Sequence, residues 1–347
     1  MGIRPPLVLE AGAPGMINKL QFVEDPAAPD LAPTKIEIKA SVWPISSRDI
    51  SIVLGRMDNA GLGLECAGTI SRVGAASNRF TPGGRVLMVH PGAMRSFPRA
   101  SADSVFKLLQ ILSFNDAVAG IVPSMAAWYA LVQVGRLQHG EKVLIHDAAD
   151  GTGQMAIKIA KMLGAEIFAT VDAEKKRKLI IDLDIPESHV FYSRDSSFVK
   201  GVKRITNDYG IDVILNSLSG QGLRASWECI APYGRFVNLE KSDIIANSSL
   251  PMASFANNVS FASVDLQHIT LKNSALVRQL VETALSLVAD PEVGGPAPLH
   301  FFPVSQIREA FRFMEAGKDT GRTLVTIEPK DVVPVRLNLP SSAIVEA

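Results

Sequence analysis

From about Leu137 onward the chain alternates apolar strands with helical segments, and no other feature restricts its fold so strongly. Val143-Leu144-Ile145 precedes a helical stretch near Gly153 to Leu163, and Ile167-Phe168-Ala169-Thr170-Val171 precedes a charged helix starting at Glu174. Further strands are predicted at Val190-Phe191-Tyr192, Val213-Ile214-Leu215, Arg235-Phe236-Val237 and Val259-Ser260-Phe261. Short apolar strands alternating with helices are the pattern of parallel βαβ units, with helices on both faces of the sheet. About six of them complete a doubly wound parallel sheet, an α/β fold. An amphipathic helix over roughly Ala275 to Val288 follows. A helix and a final strand are then expected within Ile307 to Thr326, the strand returning to the first part of the chain.

The first part reads differently. Up to about Ser113 it holds short β-like runs, Lys35-Ile36-Glu37-Ile38-Lys39, Ala67-Gly68-Thr69-Ile70-Ser71-Arg72-Val73 and Arg85-Val86-Leu87-Met88-Val89. Thr81-Pro82-Gly83-Gly84 is turn punctuation between them, so a compact β domain is expected.

Composition narrows the function. The 347 residues carry 35 basic and 35 acidic side chains, a formal net charge of +0, which removes the long-range positive field of a nucleic-acid or anionic-membrane binder. Apolar and charged shares of 47% and 20% fit a soluble globular chain of about two domains. Two cysteines, Cys66 and Cys229, are too few for a disulfide framework or a four-cysteine zinc site, and they fit a reducing cytosol. No secretory leader is seen, and no window approaches the ~20 uninterrupted apolar residues of a membrane span. Met1-Gly2 opens like a myristoylation signal, but Pro6 stands where that motif needs Ser or Thr. The expectation is a cytoplasmic chain, a piece of something larger, with neither nucleic acid nor membrane as partner.

After Ile145-His146 the loop Asp147-Ala148-Ala149-Asp150-Gly151-Thr152-Gly153-Gln154 opens directly into a helix. Glycine there lets the backbone approach a pyrophosphate, whose charge the helix N-terminus stabilises. An ordinary β-to-α turn would look the same in isolation. The strand–loop–helix context, with five more strands to follow, favours a dinucleotide site. Asp172 ends the second strand, where an acid bonds a ribose hydroxyl and repels a 2′-phosphate. Lys175, Lys176 and Arg177 either offset that repulsion or form a solvated helix face, so these residues alone leave NADH and NADPH both open.

Four runs carry a family resemblance: Gly61-Leu62-Gly63-Leu64-Glu65-Cys66-Ala67-Gly68, the loop above, Asp212-Val213-Ile214-Leu215-Asn216-Ser217-Leu218-Ser219-Gly220, and Leu223-Arg224-Ala225-Ser226-Trp227-Glu228-Cys229-Ile230-Ala231-Pro232-Tyr233-Gly234-Arg235-Phe236. Over about residues 5 to 330 the chain resembles the enoyl reductase domain of fungal highly reducing polyketide synthases, in the zinc-free branch of the medium-chain dehydrogenase/reductase superfamily. The resemblance implies a GroES-like β domain at 1–115 and 271–330, a Rossmann dinucleotide-binding domain at 116–270, and a linker or tail at 331–347. It implies NADPH held by Asp150, Gly151, Thr152, Gly153, Gln154, Asp172, Lys176, Asn216 and Leu218. The implied substrate is an acyl chain on an acyl carrier protein, among neighbouring synthase domains in a homodimer. For dimerisation, the residues themselves offer only the exposed edge of the sixth strand and the apolar helix after it, which ordinary core would explain equally.

Zinc-dependent relatives carry Gly-His-Glu where this chain has Gly63-Leu64-Glu65; Leu64 cannot ligate a metal, and none of the six histidines forms a short motif with a cysteine, so no zinc is expected. Hydride addition to an α,β-unsaturated thioester leaves an enolate that needs a stabilising donor and then a proton. A lysine suits both tasks. The family's proposed Lys/Asp pair falls on Lys241 and Asp265. Without the resemblance, Lys241 reads as a surface loop lysine, and Asp265 and Asp243 as loop acids or caps. The early tyrosine of some bacterial relatives has no counterpart near Met57.

Departures fall on the sites. Asp150 replaces a family glycine, adding a carboxylate and, if that position needs positive φ, backbone strain. With Asp147 and Asp172 it gathers three acids where the cofactor's phosphates would lie. Like charges ~4–6 Å apart cost about 1 kcal/mol in water and several when partly desolvated, enough to lower affinity tenfold or more. Glu240 replaces a glycine before Lys241, and Ser46-Ser47 stand for an expected Asn-Phe before Arg48-Asp49. Two readings stay open. One is an NADPH-dependent enoyl reductase. The other is a silent structural and dimerising domain whose reduction is supplied by a trans-acting reductase, as in synthases resembling lovastatin nonaketide synthase. A free-standing quinone reductase-like enzyme is a third, which the linker-like tail disfavours.

Overall fold

The computed structural model describes residues 6–13, 15–25, 30–57, 61–317 and 320–336. Met1-Gly2 and the end of the expected tail, 337–347, lie outside them. The chain opens with β1 (Leu7–Ala11), β2 (Leu20–Glu24), β3 (Lys35–Ile45), α1 (Ser47–Val53), β4 (Glu65–Val73), β5 (Arg85–Val89), β6 (Arg99–Ser101) and β7 (Val105–Lys107). It continues with α2 (Phe114–Trp128), β8 (Lys142–Ile145), α3 (Gly151–Met162), β9 (Glu166–Val171), α4 (Glu174–Asp182), β10 (Val190–Tyr192), α5 (Ser197–Ile205) and β11 (Ile211–Asn216). Next come α6 (Gln221–Trp227), β12 (Ile230–Asn238), α7 (Ser242–Ile245) and β13 (Ser260–Ser263). The last elements are α8 (Leu266–Lys272), α9 (Ser274–Ala289), β14 (Leu299–Pro303), α10 (Ile307–Glu315), β15 (Arg322–Thr326) and β16 (Val335–Arg336).

Two compact units result: Met1–Ala119 with Gln267–Gln279 and Leu299–Ala347, and Gly120–Leu266 with Leu280–Pro298. In the second unit, six parallel strands run in the order β10-β9-β8-β11-β12-β13. Strand order reverses between β8 and β11, the switch point at which open α/β sheets bind ligands. The inner strands β9, β8 and β11 are buried on both faces, which is why they are apolar without alternation. Val143 and Ile145 pack with Ala156, Ile157 and Ala160 of α3, whereas Leu144 packs on the other face with Phe168, Phe198, Ile214 and Phe236. Leu144 is fully buried, and its truncation to alanine costs about 2–5 kcal/mol.

In the first unit, β14-β15-β3-β4-β5-β7 form a mixed sheet with β6 added to β3, a GroES-like β arrangement, and β1, β2 and β16 make a smaller sheet. The final strand does return to the first part of the chain: β15 pairs antiparallel with β3, Val325 opposite Trp43. Part of the expected tail is structured, since Val335 pairs with Phe22 of β2 and packs with Val333 on the core. The expected second stretch of the β domain, 271–330, is divided: Leu280–Pro298 belongs to the second unit. Leu287 and Val293 join the core beside α3, and Lys158 and Gln154 of α3 bond the backbone of Val293, Gly295 and Ala297.

No helix over α2 is predicted above. It continues into a π-helical turn over Tyr129–Val134, in which the Gly135 amide donates to Ala130 O at 2.8 Å. The resulting helix, Phe114–Val134, is long and apolar enough by length and composition to cross a bilayer, with a mean hydropathy of 1.5, and 67% of that window is buried inside the protein.

Candidate active site

The C-terminal end of β8 is fixed from below by His146, which is fully packed. Its Nδ1 is 2.8 Å from Thr170 Oγ1 and its Nε2 2.8 Å from Ser226 Oγ, whose hydroxyl donates to Gly222 O. Ser226 has spent its proton on that carbonyl, so Nε2 is the donor to Ser226 and Nδ1 accepts from Thr170. Burial pushes the His146 pKa down to about 3, and the ring is neutral at physiological pH.

The loop that follows corrects the expected strain. Asp150 has φ −79° and ψ 174°, the extended backbone usual for an N-cap, and its Oδ1 accepts from the Gly153 amide at 2.6 Å. The left-handed residue is Asp147, φ 48°, whose Oδ2 accepts from Ser217 Oγ at 2.7 Å. Gly151 and Thr152 form the first turn of α3. Gly153 is required by close approach: a Cβ there would sit 2.4 Å from Asp147 O and 2.6 Å from Ala148 Cα. Gln154 is buried with its amide engaged by backbone, Nε2 donating to Ala149 O (3.0 Å) and Ala297 O (2.7 Å), and Oε1 accepting from the Ala297 amide at 3.0 Å. One turn on, Lys158 Nζ donates to Val293 O and Gly295 O, and burial lowers its pKa.

Asp172 and Lys176 come together as an i,i+4 ion pair of 3.0 Å. The three acids therefore each have a partner: Ser217 for Asp147, Gly153 for Asp150 and Lys176 for Asp172. Asn216 and Leu218 meet at the end of β11, where Asn216 Nδ2 donates to Leu218 O at 2.7 Å.

β12 and β13 run parallel with Asn238 opposite Ser263, so the residues just beyond them are neighbours. Lys241 Nζ lies 2.5 Å from Asp265 Oδ2, with both side chains partly open to solvent. Glu240 turns back onto its own loop, its Oε1 accepting from the Ser242 amide at 2.9 Å and from Ser242 Oγ. Asp243 lies in the first turn of α7 rather than in a loop, and accepts from the Gly220 amide at 2.6 Å. Two buried residues of this region, His146 and Asn238, escaped the sequence reading. Each is a polar residue closing an apolar strand, the one signal available.

In the first unit, Ser46 and Asp49 form a capping box on α1, and buried Asp49 also accepts from the Gly63 amide at 2.8 Å. Arg48 donates to Gln267 Oε1 (2.8 Å) and to Gly61 O (3.1 Å). Met57 packs against the core. Glu65 is held by Arg322 at 2.7 Å. Among the described residues no group of three or more His, Cys, Asp or Glu side chains is placed to hold a metal ion. Burial raises the pKa of both thiols, that of Cys229 to about 12.

A profile of the zinc-binding dehydrogenase family matches residues 151–290, although the donor set just described does not fit zinc. The crystal structure of CurK enoyl reductase is 30% identical, covers 94% of this chain and 100% of its own, and superposes with a TM-score of 0.82. A reducing polyketide synthase of Gibberella moniliformis is 36% identical over 335 residues, 96% of this chain. The chain belongs to the enoyl reductase domains of fungal highly reducing polyketide synthases. This enoyl reductase domain spans 14% of the Gibberella relative, a small part of a large synthase. It shares the medium-chain dehydrogenase/reductase fold, and the CurF ER cyclopropanase of the curacin A pathway superposes on it with a TM-score of 0.86 at 25% identity over 94% of this chain and 100% of that one.

Proposed function

We propose that this enoyl reductase domain reduces the α,β-double bond of an acyl thioester carried by an acyl carrier protein, with NADPH as reductant, inside a cytosolic dimeric synthase. The observation that carries the reading is the 2.5 Å contact of Lys241 with Asp265 at the C-terminal edge of the parallel sheet. NADPH, when bound, supplies the hydride that adds to the β-carbon. The N-terminal turn of α3 with the close-packed Gly153 would hold its pyrophosphate, and Asn216 and Leu218 would hold its nicotinamide half. Lys176, here paired with Asp172, would be the residue to take the 2′-phosphate. Lys241 stabilises the enolate oxygen and delivers a proton at the α-carbon, while Asp265 holds the Lys241 side chain in place. The test is turnover of a crotonyl thioester by the domain with NADPH, compared with Lys241→Met. Thioester-dependent NADPH oxidation in the parent alone supports the reading, and its absence at millimolar cofactor defeats it.

A second reading, a silent dimerisation and docking domain served by a reductase in trans, draws support from Asp150, whose carboxylate already holds an amide of the phosphate-binding turn. Under that reading Asp147→Ala with Asp150→Gly restores cofactor binding that the parent lacks.

A further inference from the structure

Asn238 is the last residue of β12, with no exposed surface, and its side-chain amide nitrogen and main-chain oxygen act on the segments that carry Lys241 and Asp265. Its Nδ2 donates to Glu240 O at 2.5 Å, fixing the peptide unit just ahead of Lys241. Its main-chain oxygen accepts from the Val264 amide at 2.9 Å, fixing the Ser263–Val264 peptide unit, one residue before Asp265. Its Oδ1 accepts from Asn216 Nδ2 at 2.7 Å. That last bond sets the amide's orientation: a flip would put two N–H₂ groups face to face and leave Glu240 O without its donor. Asn216 is held in turn, since its Nδ2 also donates to Leu218 O and its main-chain oxygen accepts from the Leu239 amide at 2.8 Å. On the far side of Lys241, the Glu240 carboxylate takes the Ser242 amide, so the lysine's backbone is clamped in both directions.

We propose that Asn238 is the positioning residue of the Lys241–Asp265 pair, its one side chain and one carbonyl setting the two backbones whose side chains must meet, with Asn216 dictating which way its amide faces. An amide is required because the site needs a donor and an acceptor together. Aspartate lacks the donor, and an apolar residue of the same volume leaves the Asn216 amide and the Glu240 carbonyl unsatisfied in a buried place. Lysine is long and flexible, and a catalytic ammonium is useful only when its stem starts from a fixed point.

The inference rests on Lys241 and Asp265 as the protonating pair, and its test is built to read without turnover. The lysines of the whole domain are reductively methylated with ¹³C, and the Lys241 signal is identified by its loss in Lys241→Arg. An ammonium held against a carboxylate gives a signal displaced from those of solvated lysines, and Asp265→Asn returns it to them. Asn238→Ala is expected to do the same with the other lysine signals unmoved. An Asn238→Ala domain that folds and keeps the displaced signal overturns the proposal, as does a parent with no displaced signal. Asn238→Ser, which keeps a buried hydroxyl, stands in if the alanine variant does not fold. In crotonyl thioester reduction, Asn238→Ala should lower kcat on the order of 10–100-fold at unchanged KM for NADPH. If the parent reduces nothing, the reading of function fails while the signal still decides the role of Asn238.

Discussion

Asp150 Oδ1 lies 2.6 Å from the Gly153 amide, so helix α3 begins with an anion of its own. The first amides of a helix have no intrahelical acceptor and carry the positive end of its dipole, the end that would receive a cofactor's pyrophosphate. The domain therefore stabilises its fold with the same group that a phosphate would want. Asparagine caps a helix as well as aspartate does, without the charge. Asp150→Asn is expected to leave urea unfolding unchanged within a few tenths of a kcal/mol and to tighten NADPH binding roughly tenfold, the effect of removing about 1.4 kcal/mol of like-charge repulsion. Asp150→Ala should lose ~0.5–2 kcal/mol of stability with the cap. Fluorescence titration beside urea melts separates the two effects, and an unchanged Kd in Asp150→Asn would mean the carboxylate does not compete.

On the proposed mechanism, replacing either Lys241 or Asp265 removes the proton delivery. Lys241→Met and Asp265→Asn should each lower kcat for enoyl thioester reduction by ~10²–10⁴-fold, the usual range for a lost acid–base group, with KM for NADPH little changed. Steady-state kinetics with both substrates varied checks this. A loss confined to KM would move the pair from chemistry to binding.

His146 makes stability pH-dependent. Its folded pKa is about 3 against an ordinary 6.5, so below pH 6.5 the unfolded chain takes up a proton that the folded one refuses. The contribution is complete above pH 6.5 and is lost as the pH falls toward 3, at about 1.4 kcal/mol per pH unit. Between pH 6.5 and 5 that amounts to about 2 kcal/mol. Urea unfolding of the parent and of His146→Gln, which keeps a donor and an acceptor but does not titrate, should differ in pH slope by this amount. Equal slopes would show that His146 protonates in the fold.

Gln154 is a test of sequence expectation against packing. It stands in the loop pattern of a cofactor ligand, but its amide is bonded to Ala149 and Ala297. Gln154→Leu should cost ~1–3 kcal/mol of stability by leaving those backbone groups unsatisfied, with NADPH affinity within twofold of the parent. A large loss of affinity with stability intact would restore it to the cofactor site.

What the sequence showed depends on how local the cause is. The inner strands of the parallel sheet were legible because burial on both faces demands unbroken apolar runs, and β8 and β9 fall within a residue of the reading. α2 was not, because it is apolar nearly all round, carries Pro123 inside and has no polar face to set a period. The role of Asp150 turned on one offset: taken as a replaced loop glycine it implied strain, whereas an Asp three residues before the Gly153 amide is an N-cap. Lys241 and Asp265 were found only through a family pattern, since a pair made across two strand ends leaves no spacing to read. Asn238 is further removed, because its importance lies in which carbonyl and which amide the sheet brings to it.

Enoyl reduction driven by NADPH is tested most directly by thioester-dependent oxidation of NADPH by the purified domain, with Asp150→Asn assayed alongside. The prediction is measurable turnover in the parent and a lower KM for NADPH in Asp150→Asn. No turnover and no NADPH binding in either protein, with both folded, would contradict it.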